Sequence, residues 1–509
     1  MALVTVRRKI GWLLATNRKL GSDKALRSGR EFARALGHSA SSSSVTRWEH
    51  GDVAAGRHVV RRYEQLLDLP AGQLTTVADA LLRLETAGRR RRGGRRSEDL
   101  TLHAALDKIS SGALLDGAEW VELTERIEAT PGLVLHPPAL WSVVAERLLT
   151  ELVAADKLEW LLRNEAMSRL LDHPTARSHA VAACIALVED TTSPVVIEPL
   201  GLLDVVSDSV ADRYVFQQIT QPDNERAFQG ALRAALRKIQ YGHFTEAQLG
   251  RLVPAIRETM RDGQSDPDRI ALSVDVARRL AGRTARRTAL QRAVPDDPVA
   301  WWAWKWDRVA EPGLARAVSV QLARLVQARG RSDTTKLDEV LATAIEEALY
   351  SSNPDRRLFH GQLLAATPLR AVLADAILTE MTAGLARRDE TFAIAALPAM
   401  TVLDASTHRT LVQRVLAGGG FSPSLRHAGA RALPHCAGRY SEPVWRAILD
   451  RQIALSRDTP DKLDGDILRA IVYGIGTDGR TDLLAAIRAD PAMPAGCRST
   501  ADWQLSPGA

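Results

Sequence analysis

The densest set of hydrogen-bonding side chains lies between positions 41 and 47. There Ser41, Ser42, Ser43, Ser44, Thr46 and Arg47 surround a single apolar residue, Val45. Hydroxyls donate and accept, and a guanidinium donates in a planar fork, so this set can meet phosphate oxygens and base edges. Arg30, just upstream, adds a further cation. Sets that would carry catalysis are not assembled in this way. His427 and His435 stand at no zinc-site spacing from Cys436, and H-E-x-x-H, G-x-S-x-G and a catalytic Cys/His signature are absent. Residues 474–481 (GIGTDGRT) have the outline of a phosphate loop with Arg480 in place of lysine. That loop needs a strand before it, and 466–473 reads as a helix, so a turn between helices is expected. Glu346 and Glu347 read as a solvated helix face. The sequence supports no enzyme assignment, no cofactor and no metal.

The serine run must be carried by an element that presents it. Glu31–Leu36 is a short amphipathic segment, followed by Gly37 and a polar turn of His38, Ser39 and Ala40. A second helix opens in the serines, which favour helix caps, and closes at Trp48-Glu49-His50-Gly51. Phe32, Ala33, Leu36, Val45 and Trp48 fall where two short helices would share a core, and the small Ala33 and Gly37 would let them cross closely. This is the outline of a helix-turn-helix, whose second helix enters the DNA major groove. It is also the outline of an ordinary helical hairpin with a serine-rich cap.

The segment Ser42–Gly51 (SSSVTRWEHG) resembles the recognition-helix signature of the phage-repressor-like, or Xre-type, helix-turn-helix family. The resemblance covers roughly residues 6–75. It implies a five-helix DNA-binding domain with helices at 6–17, 30–36, the serine-led helix, 57–67 and 74–84. It further implies that Ser42, Ser43 and Thr46 face bases and that Arg47 approaches the backbone or a base. Trp48 would be a packing position and Glu49 a structural acid. Gly29 stands where the family often has glutamine, and the turn at His38-Ser39-Ala40 is longer than usual.

Charge is unevenly placed. Residues 1–100 hold 20 Lys and Arg against 10 Asp and Glu, whereas the rest of the chain holds 47 against 51. A basic front on a mildly acidic body is what DNA binding by one module requires. Residues 88–96 (GRRRRGGRR) cannot pack a core. They read as a flexible boundary whose Arg89, Arg90, Arg91, Arg92, Arg95 and Arg96 either neutralise phosphates or merely solvate a linker. No apolar run is long enough to cross a membrane and the first residues lack a secretory apolar segment, so a cytoplasmic, nucleoid-associated protein is expected. Cys184, Cys436 and Cys497 suit a reducing compartment, as buried apolar residues or a loose tail thiol.

From residue 99 onward apolar residues recur at helical spacing almost throughout. Segments from His173, Ser265, Asn353, Ser422 and Asp464 are weakly self-similar, each with an Asp or Pro near an Arg opening a helix with small residues on one face. They resemble HEAT-type repeats stacked into an α-solenoid. Trp301, Trp302, Trp304 and Trp306 could form an aromatic wall for a ligand or partner, but packing between repeats is the simpler expectation.

The expected fold is therefore all-α: a helix-turn-helix domain (1–87), a basic linker (88–98) and a solenoid-like body (99–509). The expected function is sequence-specific regulation of transcription in a bacterial cell, by a homodimer on double-stranded DNA with a small-molecule, peptide or protein effector on the body. The alternative is a helical-repeat interaction scaffold tethered to DNA by its front end. A DNA glycosylase on a HEAT-like fold would need a basic concave face, which this acidic body does not offer.

Overall fold

In the computed structural model, residues 4–37, 40–85, 102–190, 193–261, 267–282, 287–330, 336–403, 408–436 and 438–506 are described. Among them there is no β-strand, only one isolated bridge between Arg308 and Ser351. The first five helices are α1 (Val6–Leu20), α2 (Gly29–Leu36), α3 (Ser42–His50), α4 (Arg57–Leu66) and α5 (Gln73–Glu85). They match the expected segments closely. A single 3-10 turn, Ala25–Arg27, fills part of the long link before α2.

The next twelve helices are α6 (Leu102–Ser110), α7 (Gly117–Ala129), α8 (Leu140–Ala154), α9 (Lys157–Asp172), α10 (Arg177–Glu189), α11 (Ile197–Leu202), α12 (Ser209–Thr220), α13 (Glu225–Tyr241), α14 (Glu246–Arg261), α15 (Pro267–Ala281), α16 (Arg287–Gln291) and α17 (Pro298–Trp306). After them come α18 (Pro312–Arg329), α19 (Glu339–Tyr350), α20 (Pro354–Ala365), α21 (Arg370–Ala386), α22 (Thr391–Leu403), α23 (His408–Ala417), α24 (Pro423–Ala432), α25 (Glu442–Asp458), α26 (Asp464–Thr477), α27 (Thr481–Ala489) and α28 (Ala495–Leu505).

Local chemistry sets many of these ends. Asp116 and Glu119 form a reciprocal capping box at α7. Asp297, Asn353 and Ser422 cap helices whose first residue is proline, which has no N–H to leave unsatisfied there. Helices pack on next-but-one neighbours: α11 on α13, α13 on α15 and α15 on α17 in one row, with α8 on α10, α10 on α12 and α12 on α14 in another. Likewise α20, α22, α24, α26 and α28 follow one another. The self-similar segments open α15, α20, α24 and α26 and precede α10.

The apolar interior is not one core. Buried residues from Ala105 to Ala303 form one cluster. Those from Ala310 to Ala501 form a second, and the core of α1–α5 is continuous with it. The two halves meet at Asp307, which holds a left-handed backbone between α17 and α18. Its carboxylate accepts from Arg278 at 2.7 Å, from Ser352 at 2.8 Å and from Arg356 at 3.3 Å. Burial works to raise the Asp307 pKa, but Arg278 and Arg356 hold it below the ordinary value. Glu346 and Glu347 are buried here and pair with Arg308 at 3.1 Å. They are not a solvated face, as their sequence suggested. Four arginines in the same joint (Arg278, Arg308, Arg316 and Arg356) permit the burial of this many carboxylates.

Candidate nucleic-acid interface

The first five helices build their own centre from Ile10, Leu13 and Leu14 of α1, Phe32 and Ala33 of α2, Val45 of α3, Tyr63 of α4 and Leu74 and Leu81 of α5, all buried. Trp48 is half-buried and packs against this set. Glu49 is buried and accepts two hydrogen bonds from Arg18, at 2.6 and 2.7 Å, and one from the Tyr63 hydroxyl at 3.1 Å. Burial, reinforced by Glu49, pushes the Tyr63 phenol far up, so it stays a donor. This three-residue lock fixes the end of α3 against α1 and α4.

Close approach is set at Gly11 rather than at Gly37. A Cβ on Gly11 would lie 2.5 Å from the Trp48 carbonyl oxygen and 2.6 Å from that of Glu49. Only glycine lets α1 pass this near α3. A Cβ on Gly37 would meet nothing within 4 Å, so that glycine does not serve a close crossing. Its φ of +92° ends α2 instead. The expectation that Gly37 aids helix crossing is thus corrected; His38 and Ser39 lie outside the described residues.

With one face locked, α3 turns the other outward. Ser41, Ser42, Ser43, Thr46, Arg47 and His50 are exposed, and Ser44 is half-buried. Ser41 is the N-cap: its Oγ accepts from the Ser44 amide at 3.1 Å and lies 2.8 Å from Ser43 Oγ. Thr46 Oγ1 donates to the Ser42 carbonyl at 3.0 Å. Among the described residues Arg47 and Arg30 have no ion pair, and both are exposed. The start of α2 lies beside the start of α3, since a Cβ on Gly29 would be 3.7 Å from Ser42 Oγ. Two helix N-termini with exposed hydroxyls and Arg30 thus share one surface, which favours anions. Arg7 and Arg8, which the sequence did not single out, are also exposed. A Cβ on Gly51 would touch the Arg7 backbone at 2.8 Å, which places the start of α1 at the end of α3. Their signal was the basic run at 7–9, visible but indistinguishable from ordinary surface charge. The six arginines Arg89, Arg90, Arg91, Arg92, Arg95 and Arg96 lie outside the described residues.

The tryptophan cluster follows the expectation of core packing only in part: Trp304 packs against the core, whereas Trp301 and Trp306 are exposed. The buried residues of α17 are Ala300 and Ala303, while Trp301 and Trp306 are each 43% exposed and Trp302 and Trp304 are half-buried. Lys305 lies 4.4 Å over the Trp306 ring and 5.7 Å from that of Trp301. Helix α17 packs on α15, with Ala300 and Ala303 buried and Trp304 partly buried against the same core. Residues 474–477 end α26, so a helix leads into this turn, as expected, and Gly479 turns the chain with φ +73°. All three cysteines are buried, and burial pushes the Cys184 thiol up to about 12. Among the described residues no group of His, Cys, Asp and Glu could hold a metal, and no helix is long and apolar enough to cross a membrane. No protein-family model matches the chain, and no curated protein is similar to it.

Proposed function

We propose that this chain binds double-stranded DNA through α3 and regulates transcription from a specific site. In this reading α2 and α3 are a helix-turn-helix of the phage-repressor-like type, and the helices after residue 101 form a solenoid-like body that positions it. The observation that carries the reading is the two-sided character of α3: Val45 and Glu49 locked inward, and Ser42, Ser43, Thr46 and Arg47 turned out. A hydroxyl-rich helix face with one flanking guanidinium suits base edges and the adjoining phosphates. One such helix makes few base contacts, so two copies on half-sites about one helical turn apart are required for useful affinity, and a homodimer follows.

Selection of bound fragments from genomic DNA with the full chain at physiological salt tests this. A single enriched motif with two-fold symmetry is the expected result. Salt-sensitive binding without any motif overturns specificity and favours a scaffold tethered to DNA. The exposed Trp301 and Trp306 would then be the first surface to search for a protein partner.

A further inference from the structure

The two halves of the chain face one another across a cavity of about 430 Å³. One wall comes from α9, α13 and the segment before α11, the other from α20, α22, α24 and α26. Its lining holds five Lys and Arg (Lys157, Arg226, Arg233, Arg431 and Arg469) against three carboxylates. At one end Arg226 and Arg469 share Asp466, with Arg226 3.8 Å from it. Arg226 also donates to the Pro194 carbonyl at 2.8 Å. The Nε of Arg469 is buried with no hydrogen-bond partner. The lining also has apolar and aromatic members from both walls, Trp160 and Val196 from one and Val402 and Tyr473 from the other.

We propose that this cavity binds a small phosphorylated organic molecule, its phosphate between Arg226 and Arg469 and its organic part against Trp160 and Tyr473. Two guanidiniums that share one carboxylate in a sheltered cleft are short of negative charge, and a phosphate supplies two charges and several acceptors in the fork geometry arginine prefers. Burial, and then the nearby Arg469 and Arg431, lower the Arg226 pKa, the mark of cations crowded beyond their counter-charge. The volume suits a metabolite-sized ligand. A nucleic-acid strand is disfavoured because residues 101–509 carry more acidic than basic side chains. The site also sits where it can matter. Arg233 of α13 pairs with Asp355 of α20, and His435 lies 3.1 Å from Asp156, so both contacts span the halves that the ligand would join.

The full chain is titrated calorimetrically with inorganic phosphate and with a panel of nucleoside and sugar monophosphates. The expected result is one organic phosphate bound about ten-fold or more tighter than inorganic phosphate, with Arg226→Gln and Arg469→Gln each weakening it about ten-fold. Should either variant misfold, Arg431→Gln, at an exposed cavity residue, replaces it with the same expectation. Binding of inorganic phosphate as tight as any organic one overturns the organic-ligand assignment. Absence of binding by every phosphate, or binding unchanged in the variants, overturns the site. Neither outcome depends on whether α3 binds DNA.

Discussion

The first five helices are held by both halves of the chain, and the two contacts differ in kind. Toward the later half the contact is a continuous apolar core sealed by short buried hydrogen bonds. Trp12 Nε1 donates to Asp338 at 2.7 Å, and Asn17 donates to the Ala366 carbonyl at 2.9 Å. Lys9 lies 2.5 Å from Glu85 and 2.8 Å from His360 Nε2, while His360 Nδ1 reaches the Arg356 carbonyl at 2.7 Å. Toward the earlier half the contact is mainly ionic, with Leu161 its chief apolar member. Arg57 and Arg61 each approach Glu125 at 2.6 Å, Arg169 reaches Asp79 at 3.2 Å, and Arg83 pairs with Glu165. Apolar burial is non-directional, whereas buried ion pairs depend on specific partners and geometry. The five helices therefore share an interior with the later half and are keyed to the earlier half by buried charge pairs.

The strongest way to break this comparison is to cut the apolar contact. Trp12→Ala is expected to lower stability by ~3–5 kcal/mol in denaturant unfolding, as large buried aromatics do. The five helices and the later half should lose stability together. Unfolding of α1–α5 in a separate transition would show that the shared core does not couple them. A smaller effect is expected at the ionic contact. Glu125→Gln removes the carboxylate serving two arginines and should cost ~1–3 kcal/mol. Amide exchange should rise in α4 and α7 but not in α19. An equal rise in both places would erase the distinction.

Acid sharpens the same contrast. Burial, and then the Lys9 charge, hold the His360 imidazole well below its ordinary value, so it is neutral in the fold. The unfolded chain takes up that proton below pH ~6.5 and the folded chain does not, so stability present above that pH is lost as pH falls. Between pH 7.5 and 5.5 the loss from this group is on the order of 1 kcal/mol. His360→Gln should flatten the pH dependence by that amount in parallel unfolding titrations. An unchanged slope would mean that His360 is protonated in the fold. The least effect on stability is expected from Ser43→Ala with Arg47→Ala, within ~0.5 kcal/mol, since both are exposed. The same pair should weaken binding to a selected DNA site by ~1–3 kcal/mol in a titration. Wild-type affinity would displace α3 from the interface.

Much of the helical order was legible because it is local. Serine caps, apolar spacing and the Gly51 stop place α3 to within a residue, while the inward role of Glu49 was implied only by the family resemblance. What was not legible depends on partners far along the chain. Gly11 looks like any glycine in a helix until the backbone of Trp48 and Glu49 is laid against it. Glu346 and Glu347 look solvated until Arg308, in the link before α18, and Arg316 of α18 arrive. The tryptophans near 304 look alike by hydrophobicity, but Trp304 packs against the core that Ala300 and Ala303 enter while Trp301 and Trp306 stay exposed. The division of residues 99–509 into two cores has no composition shift to announce it, since both sides are equally apolar helices.

The core shared between α1–α5 and the later half has a consequence for synthesis. Residue 85 and residue 310, where the later core begins, are 225 positions apart. At ~5–20 residues per second the ribosome takes roughly 10–50 s to cover that distance. Throughout that interval the face of α1 bearing Lys9, Trp12 and Asn17 has emerged without the helices that cover it. In a nascent chain that side of α1 therefore stays open to chaperones until the later half is made.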